Sequence, residues 1–310
     1  THNSFYISYL YNNLSQRDSY MPAHPESQFI TANNLTFHVE DWGLPGEHVI
    51  MLHGLASNCN IWNLVAPVLS NRYHILTIDQ RGHGISDKPE QGYDFDTVTT
   101  DLYEIIKSLG IEHPLIVGHS WGADVALEFA VNFPTIARGL CFVDGGMIQP
   151  SARYNNLEEA RENMAPPNFL GVSIDSFRER VRSRNTNLGL GIEADTVSLS
   201  NFEVLSDNTI TPWLTRENHL RIIDALWDHD PPKLYPKVNC PVLMLPARRL
   251  GNPESLDRDT RRFESVNRAL NLLPKGRAVW LENSIHDVPI QRPELVSDTL
   301  ETHISNGYFG

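Results

Sequence analysis

The five residues Gly118-His119-Ser120-Trp121-Gly122 constrain this chain more than any other feature. They follow a short apolar run, Pro114 to Val117, and open a segment in which Gly122, Ala126 and Ala130 recur every four residues. That pattern predicts a buried strand turning directly into a helix whose small-residue face lies close to a sheet. The glycines have a steric role: a serine on so sharp a turn is held in a strained backbone, and neighbours without a β-carbon let the turn close. Its hydroxyl then stands clear of the sheet edge, beside the free N–H groups and positive dipole end of the helix. A tight glycine turn with an idle serine is the plainer alternative, and the two flanking elements argue against it.

The rest of the chain carries the same rhythm. His48 to Leu52, Tyr73 to Ile78, Pro114 to Val117, Gly139 to Val143, Pro241 to Leu245 and Ala278 to Leu281 read as strands, with a further strand pattern over Leu35 to Glu40. Helical spacing covers Trp62 to Leu69, Val98 to Leu109 behind the cap candidate Asp96, Arg261 to Leu272, and a final stretch from Pro293 with Val296, Leu300 and Ile304 on one side. Alternation of this kind predicts an α/β fold with a mostly parallel sheet flanked by helices. Between Met147 and Pro232 the strands stop and helical patches with Pro and Asn breaks take over. We therefore expect a core of 29–146 and 233–310 with an inserted helical cap, or lid, at 147–232. Residues 1–28, rich in Asn, Ser, Tyr and Gln, read as a poorly ordered leader.

A serine hydroxyl needs a base to take its proton, and an acid to orient that base. Of the 13 histidines, His286 is placed best, in the loop Asn283 to Pro289 between the last apolar strand and the terminal helix, hence at the same sheet edge as Ser120. The acid is less direct, because the loop after Pro241 to Leu245 reads Pro246-Ala247-Arg248-Arg249 and offers no carboxylate at its start. Asp144 ends the strand before it, with Gly145-Gly146 to turn the chain, and is the preferred candidate over Asp257 and Glu254. The amides of Leu55, after the strand that ends at His53-Gly54, and of Trp121 are candidates for an oxyanion hole.

Charge and cysteine content remove several other classes. The net charge of −13 and the absence of a basic run argue against nucleic acid as a partner. Cys59, Cys141 and Cys240 form neither a disulfide framework nor a metal-ligand spacing, and Asp228-His229-Asp230 reads as a solvated charged cluster rather than a metal site. No stretch approaches the roughly 20 apolar residues of a membrane span. The expectation is a soluble, cytoplasmic protein with no cofactor or metal and a small-molecule substrate; oligomeric state is not readable. Phe169, Phe202, Trp213 and Trp227 are candidates for an acyl pocket, with core packing the alternative. Arg248 and Arg249 read as a solvated surface pair rather than a carboxylate site.

Four blocks together resemble the α/β-hydrolase superfamily, specifically its lidded esterases and C–C hydrolases: His53-Gly54 with Trp62, Asp79 to Ser86, Gly118 to Gly122, and His286 to Pro289. The likeness covers about Leu35 to Ile304. It implies a carboxylic ester hydrolase working through an acyl-enzyme on Ser120, with Asp79 to Ser86 as a structural turn. Branches with an aspartate nucleophile are disfavoured by Ser120. The Arg248-Arg249 loop departs from the pattern, since many relatives carry their acid there; others take it from the end of the preceding strand, here Asp144. A C–C hydrolase, a lactonase, a thioesterase, an aminopeptidase or a non-catalytic small-ligand receptor of the same fold are the alternatives.

Overall fold

The structure, a computed structural model, describes residues 24–43, 45–249 and 256–310. In chain order its strands are β1 (Glu26–Ala32), β2 (Leu35–Asp41), β3 (His48–Leu52), β4 (His74–Ile78), β5 (Leu115–His119), β6 (Gly139–Val143), β7 (Phe202–Val204), β8 (Ile210–Pro212), β9 (Val242–Leu245), β10 (Ala247–Arg248), β11 (Gly276–Ala278) and β12 (Leu281–Glu282). Eight of them form one sheet in the order β1-β2-β4-β3-β5-β6-β9-β11. From β4 to β11 every pairing is parallel, and β1 and β2 add an antiparallel edge.

The longer helices are α1 (Phe95–Ser108), α2 (Trp121–Asn132), α3 (Leu157–Met164), α4 (Ile174–Asn187), α5 (Ile192–Leu199), α6 (Arg216–Asp228), α7 (Leu256–Leu272) and α8 (Pro293–Ser305). Strands β5 and β6 are buried at every residue, as a parallel sheet covered on both faces requires. Period-two alternation divides the core. Ile116, Leu140 and Phe142 meet Leu102 and Ile105 of α1, Phe129 of α2 and Val266 of α7 on one face. Leu115, Val117, Cys141 and Val143 meet Leu300 and Ile304 of α8 on the other. Each such buried side chain contributes about 1.5–3 kcal/mol.

Several local expectations change. β1 begins at Glu26, inside the stretch read as a poorly ordered leader, because its backbone pairs along the whole of β2 and Gln28 donates to Asp41; residues 1–23 lie outside the described residues. The cap of α1 is Asp94, whose carboxylate accepts the Thr97 amide at 2.8 Å, and Asp96 is instead in the first turn. The helix expected over Trp62 to Leu69 is two short pieces, Cys59–Trp62 and Ala66–Leu69, split by Asn63, Leu64 and Val65. The last strand is broken at Val279 and Trp280, so that β12 pairs with β10 rather than joining the main sheet.

After β6 the chain leaves the sheet and returns at β9. The intervening segment holds α3 to α6 and also a β7–β8 hairpin that helical spacing did not disclose. It has a small core of its own, Ile174, Phe177, Val181 and Ile210. Arg161 of α3 clasps Asp224 of α6 through two hydrogen bonds, 2.6 and 2.8 Å. Its two stems are tied to each other and to α2. Gln149 donates to Asp230, and Tyr235 donates to the Gly146 carbonyl. His229 lies between Glu128 (2.8 Å) and Asp124 (3.1 Å).

Candidate active site

Ser120 sits between β5 and α2 with φ +51° and ψ −124°, a backbone that L-residues rarely adopt. The turn is held by close packing. A β-carbon on Gly118 would lie 2.3 Å from the Gly122 carbonyl oxygen, one on Gly122 2.5 Å from that of His53, and one on Gly145 2.1 Å from that of Ser120. The Ser120 amide donates to Val143, and its carbonyl accepts from Ala123.

The loop between β12 and the short helix Val288–Gln291 brings His286 to this point. Its Nε2 lies 3.0 Å from Ser120 Oγ and its Nδ1 2.7 Å from Asp144 Oδ2. Asp144 directly follows β6, the hydrogen-bonded neighbour of β5, and also has positive φ, +47°. Its side chain is fully buried, and Oδ1 accepts from the Ala247 amide (2.9 Å) and pairs with Arg262 (3.0 Å). Burial alone would raise the Asp144 pKa, but the hydrogen bond and charge of His286, with Arg262 and the Ala247 amide, outweigh it and lower the pKa. The surrounding protein opposes a charge on His286. With half of its side chain open to the cavity that opposition is partial, and the Asp144 hydrogen bond and charge raise its pKa.

Two further histidines brace this geometry. His53 Nε2 accepts the Gln80 amide, so Nδ1 carries the proton and donates to the Gly54 carbonyl, which fixes the loop leading to Leu55. Gly54 is so close to Ser120 that a β-carbon there would be 2.9 Å from the serine's own. Leu55 lines the cavity beside Ser120, and the Trp121 amide is among the first four of α2, which have no partner within the helix. His119 Nε2 donates to the His286 carbonyl at 2.9 Å. Burial and the neighbouring His286 lower the His119 pKa to about 4, so it stays neutral beside the His286 ring.

Residues 47–182 match a family model described as the alpha/beta hydrolase fold. A 2-(acetamidomethylene)succinate hydrolase from Mesorhizobium japonicum is 33% identical over 118 residues, 38% of this chain and 42% of that protein. A crystal structure of E-2-(acetamidomethylene)succinate hydrolase superposes with a TM-score of 0.73 at 23% identity, covering 91% of this chain and all of that one. An esterase from Exiguobacterium antarcticum gives a TM-score of 0.67 at 21% identity over 90% of this chain and all of that one. The chain has the α/β-hydrolase fold.

The first curated relatives align with this chain over only 30–42% of their own length, and the solved structures speak for the fold alone. Around its central serine a cavity of about 500 Å³ is lined by Ser120, His286 and Leu55 and walled by Phe169, Phe177, Phe202 and Trp213. The three phenylalanines also pack on one another at 4.5–5.7 Å, so wall and core are the same residues here. Trp227 is not in that wall. Glu254 lies outside the described residues, as does the side chain of Asp257.

Two charged groups differ from their expected solvated state. Arg248 makes a two-pronged pair with Glu282 (2.7 and 2.8 Å) and covers the Trp280 ring, a partner 34 residues away that spacing does not reveal. His229 is 2% exposed, buried between two carboxylates contributed by α2. Among the described residues one group of donors is compact enough for a metal ion: His38, Cys59 and Asp79, whose ligand atoms lie within 4.8 Å of one another. The Asp79 carboxylate already accepts from the amides of Cys59 and Ile85 and contacts His38, so a metal would have to displace the bonds that shape the Asp79 to Ser86 turn. Arg262 and His119 are the supports that sequence reasoning missed. Neither carries a local signal, since their partners Asp144 and His286 are 118 and 167 positions away.

Proposed function

We propose that this chain is a serine hydrolase that cleaves small carboxylic esters through an acyl-enzyme on Ser120. The observation that carries the reading is the unbroken path from Ser120 Oγ to His286 Nε2 (3.0 Å) and from His286 Nδ1 to Asp144 (2.7 Å). Ser120 attacks the ester carbonyl as His286 Nε2 takes its proton, and buried Asp144 stabilises the imidazolium that forms. The carbonyl oxygen, now an alkoxide, is held by the amides of Leu55 and Trp121. His286 returns the proton to the departing alcohol. It then deprotonates a water that attacks the acyl-enzyme, releasing the acid and restoring Ser120. Every proton that leaves a nucleophile is delivered to a leaving oxygen, and the cycle draws on these residues alone.

The segment 147–232 is the lid in this reading, with Phe169, Phe177, Phe202 and Trp213 forming the apolar wall of the acyl site. The likeness to a 2-(acetamidomethylene)succinate hydrolase favours a second reading, in which the same three residues hydrolyse a bond other than an ester, a C–C bond included. Hydrolysis of p-nitrophenyl esters from acetate to decanoate, by wild type and Ser120→Ala, separates the two. Ester turnover abolished in the variant supports the first. A folded wild type that is labelled at Ser120 by a fluorophosphonate yet turns over no ester supports the second.

A further inference from the structure

The walls around His286 reverse the charge of the rest of the molecule. The chain has 25 Lys and Arg against 38 Asp and Glu, yet three openings that share His286 are lined, among the described residues, by seven arginines and three carboxylates. Three of these arginines are already committed: Arg184 to Asp287, Arg248 to Glu282 and Arg262 to Asp144. Arg249 lies at the mouth away from Ser120, and Arg180 stands in the aromatic chamber with a hydroxyl, Ser176, as its hydrogen-bond partner.

The remaining two, Arg153 and Arg261, line a separate chamber of about 390 Å³ that also reaches Ser120, His286, Asp144 and Gly145. They arrive from unrelated parts of the chain, Arg153 from the stem after β6 and Arg261 from α7, and neither has an ion pair among the described residues. The one carboxylate lining this chamber is Asp144, fully buried and bound to His286, Ala247 and Arg262. Arg153 also covers the ring of Tyr154, and Met147, Ile148 and Met164 supply apolar walls. Both are exposed residues on the wall of one chamber; two guanidiniums sharing it repel each other, and their forked N–H groups match a carboxylate that would cancel the repulsion.

We propose that the substrate carries a carboxylate on one arm, held by Arg153 and Arg261 in this chamber, while its other arm fills the aromatic chamber beyond Ser120. The inference rests on Ser120 and His286 being the reacting pair, and it narrows the substrate to acyl compounds with one anionic and one apolar arm. Arginine stays protonated at any working pH, so the preference is independent of pH between 6 and 9 and weakens with salt.

The test compares matched esters: mono-p-nitrophenyl glutarate against p-nitrophenyl pentanoate for an anionic acyl arm, and 4-carboxyphenyl butyrate against phenyl butyrate for an anionic leaving arm. The expected result is a preference of at least tenfold in kcat/KM for the anionic member of one pair, reduced at least tenfold in Arg153→Ala/Arg261→Ala. Glutarate should also slow fluorophosphonate labelling of Ser120 in wild type more than in that double variant, a readout that needs no ester turnover. Equal rates within both pairs together with no effect of glutarate overturn the inference and leave the serine-hydrolase reading standing. Loss of the preference in Arg180→Ala rather than in the double variant also overturns it. Absence of fluorophosphonate labelling in folded wild type removes the serine-hydrolase reading, and this inference with it.

Discussion

The turn around Ser120 and the segment between β6 and β9 stand on either side of one cavity and are built by opposite means. At the turn, backbone meets backbone: Gly118, Gly122 and Gly145 have no room for a β-carbon, and the flanking strands are buried along their length. Across the cavity, α4 buries only Ile174, Phe177, Val181 and Asn185 of its 14 residues, and much of the segment is held by polar clasps such as Arg161–Asp224. The difference teaches where specificity can change at low cost. Positions in the turn are fixed by main-chain contacts that no side-chain substitution can reproduce, whereas a cavity wall of Phe169, Phe177, Phe202 and Trp213 can be altered one residue at a time.

The sharpest way to break this contrast is to delete the proposed chemistry without touching the packing. Ser120→Ala is expected to lower kcat by about 10⁴-fold or more with an unchanged unfolding transition; residual ester turnover above a few per cent would sink the assignment. Asp144→Asn should cost about 10³- to 10⁴-fold, and Asp257→Asn should leave turnover near wild type. The pH profile sharpens the same point. His286 must be neutral to accept a proton, and its pKa is raised above 6.5 chiefly by Asp144, against the desolvation that would lower it. The acid limb of kcat/KM therefore lies above pH 6.5 in wild type and moves to lower pH in Asp144→Asn. An unmoved limb would assign it to another group.

Packing at the turn comes next in size. Gly145→Ala places a β-carbon 2.1 Å from the Ser120 carbonyl and should cost about 3 kcal/mol of stability, read by urea denaturation, with activity falling in step. A comparable alanine at exposed Gly189, where a β-carbon meets nothing within 4 Å although φ is +71°, should cost about 1 kcal/mol. The contrast fails if the two cost the same.

The clasp at His229 gives the smallest effect and tests the other side. Burial opposes its charge, yet hydrogen bonds to Asp124 and Glu128 raise its pKa to about 9. Burial also raises the pKa of Asp124, which pulls the opposite way. The imidazolium prevails, since each ring nitrogen faces a carboxylate oxygen and Asp124 accepts two backbone amides, from Gly146 and Ile148, that favour its charged form. A raised histidine pKa stabilises the fold fully below about 6.5 and loses that contribution as pH rises through 9. Unfolding free energies of wild type and His229→Gln, read by urea denaturation, should thus converge between pH 6 and pH 10, by up to roughly 3 kcal/mol.

Much of the core was legible because its signals are local. Apolar runs marked β3, β5, β6 and β9, and glycines marked the turn at Ser120 and the exit at Asp144. His286, which lies 3.0 Å from Ser120 Oγ, was singled out by its place in the strand order rather than by its neighbours. What escaped has a common cause, that each feature depends on a partner far along the chain. Arg262 reaches Asp144, His119 reaches the His286 carbonyl, Arg248 finds Glu282, and β1 looks disordered until it is laid along β2. The β7–β8 hairpin escaped for a different reason: its strands are three residues each, too short for a period of two to stand out.

The positive φ angles of Ser120 and Asp144 set the molecule's durability against its proposed work. At both positions the backbone would rest more easily on glycine, with relief on the order of 1 kcal/mol after the looser unfolded chain is allowed for. Ser120→Gly is thus expected to be inactive and at least as stable as wild type. Under selection for robustness alone, the first residues to drift would be the ones proposed to do the chemistry, so a relative that has kept its fold and lost its serine is the natural fossil of this architecture.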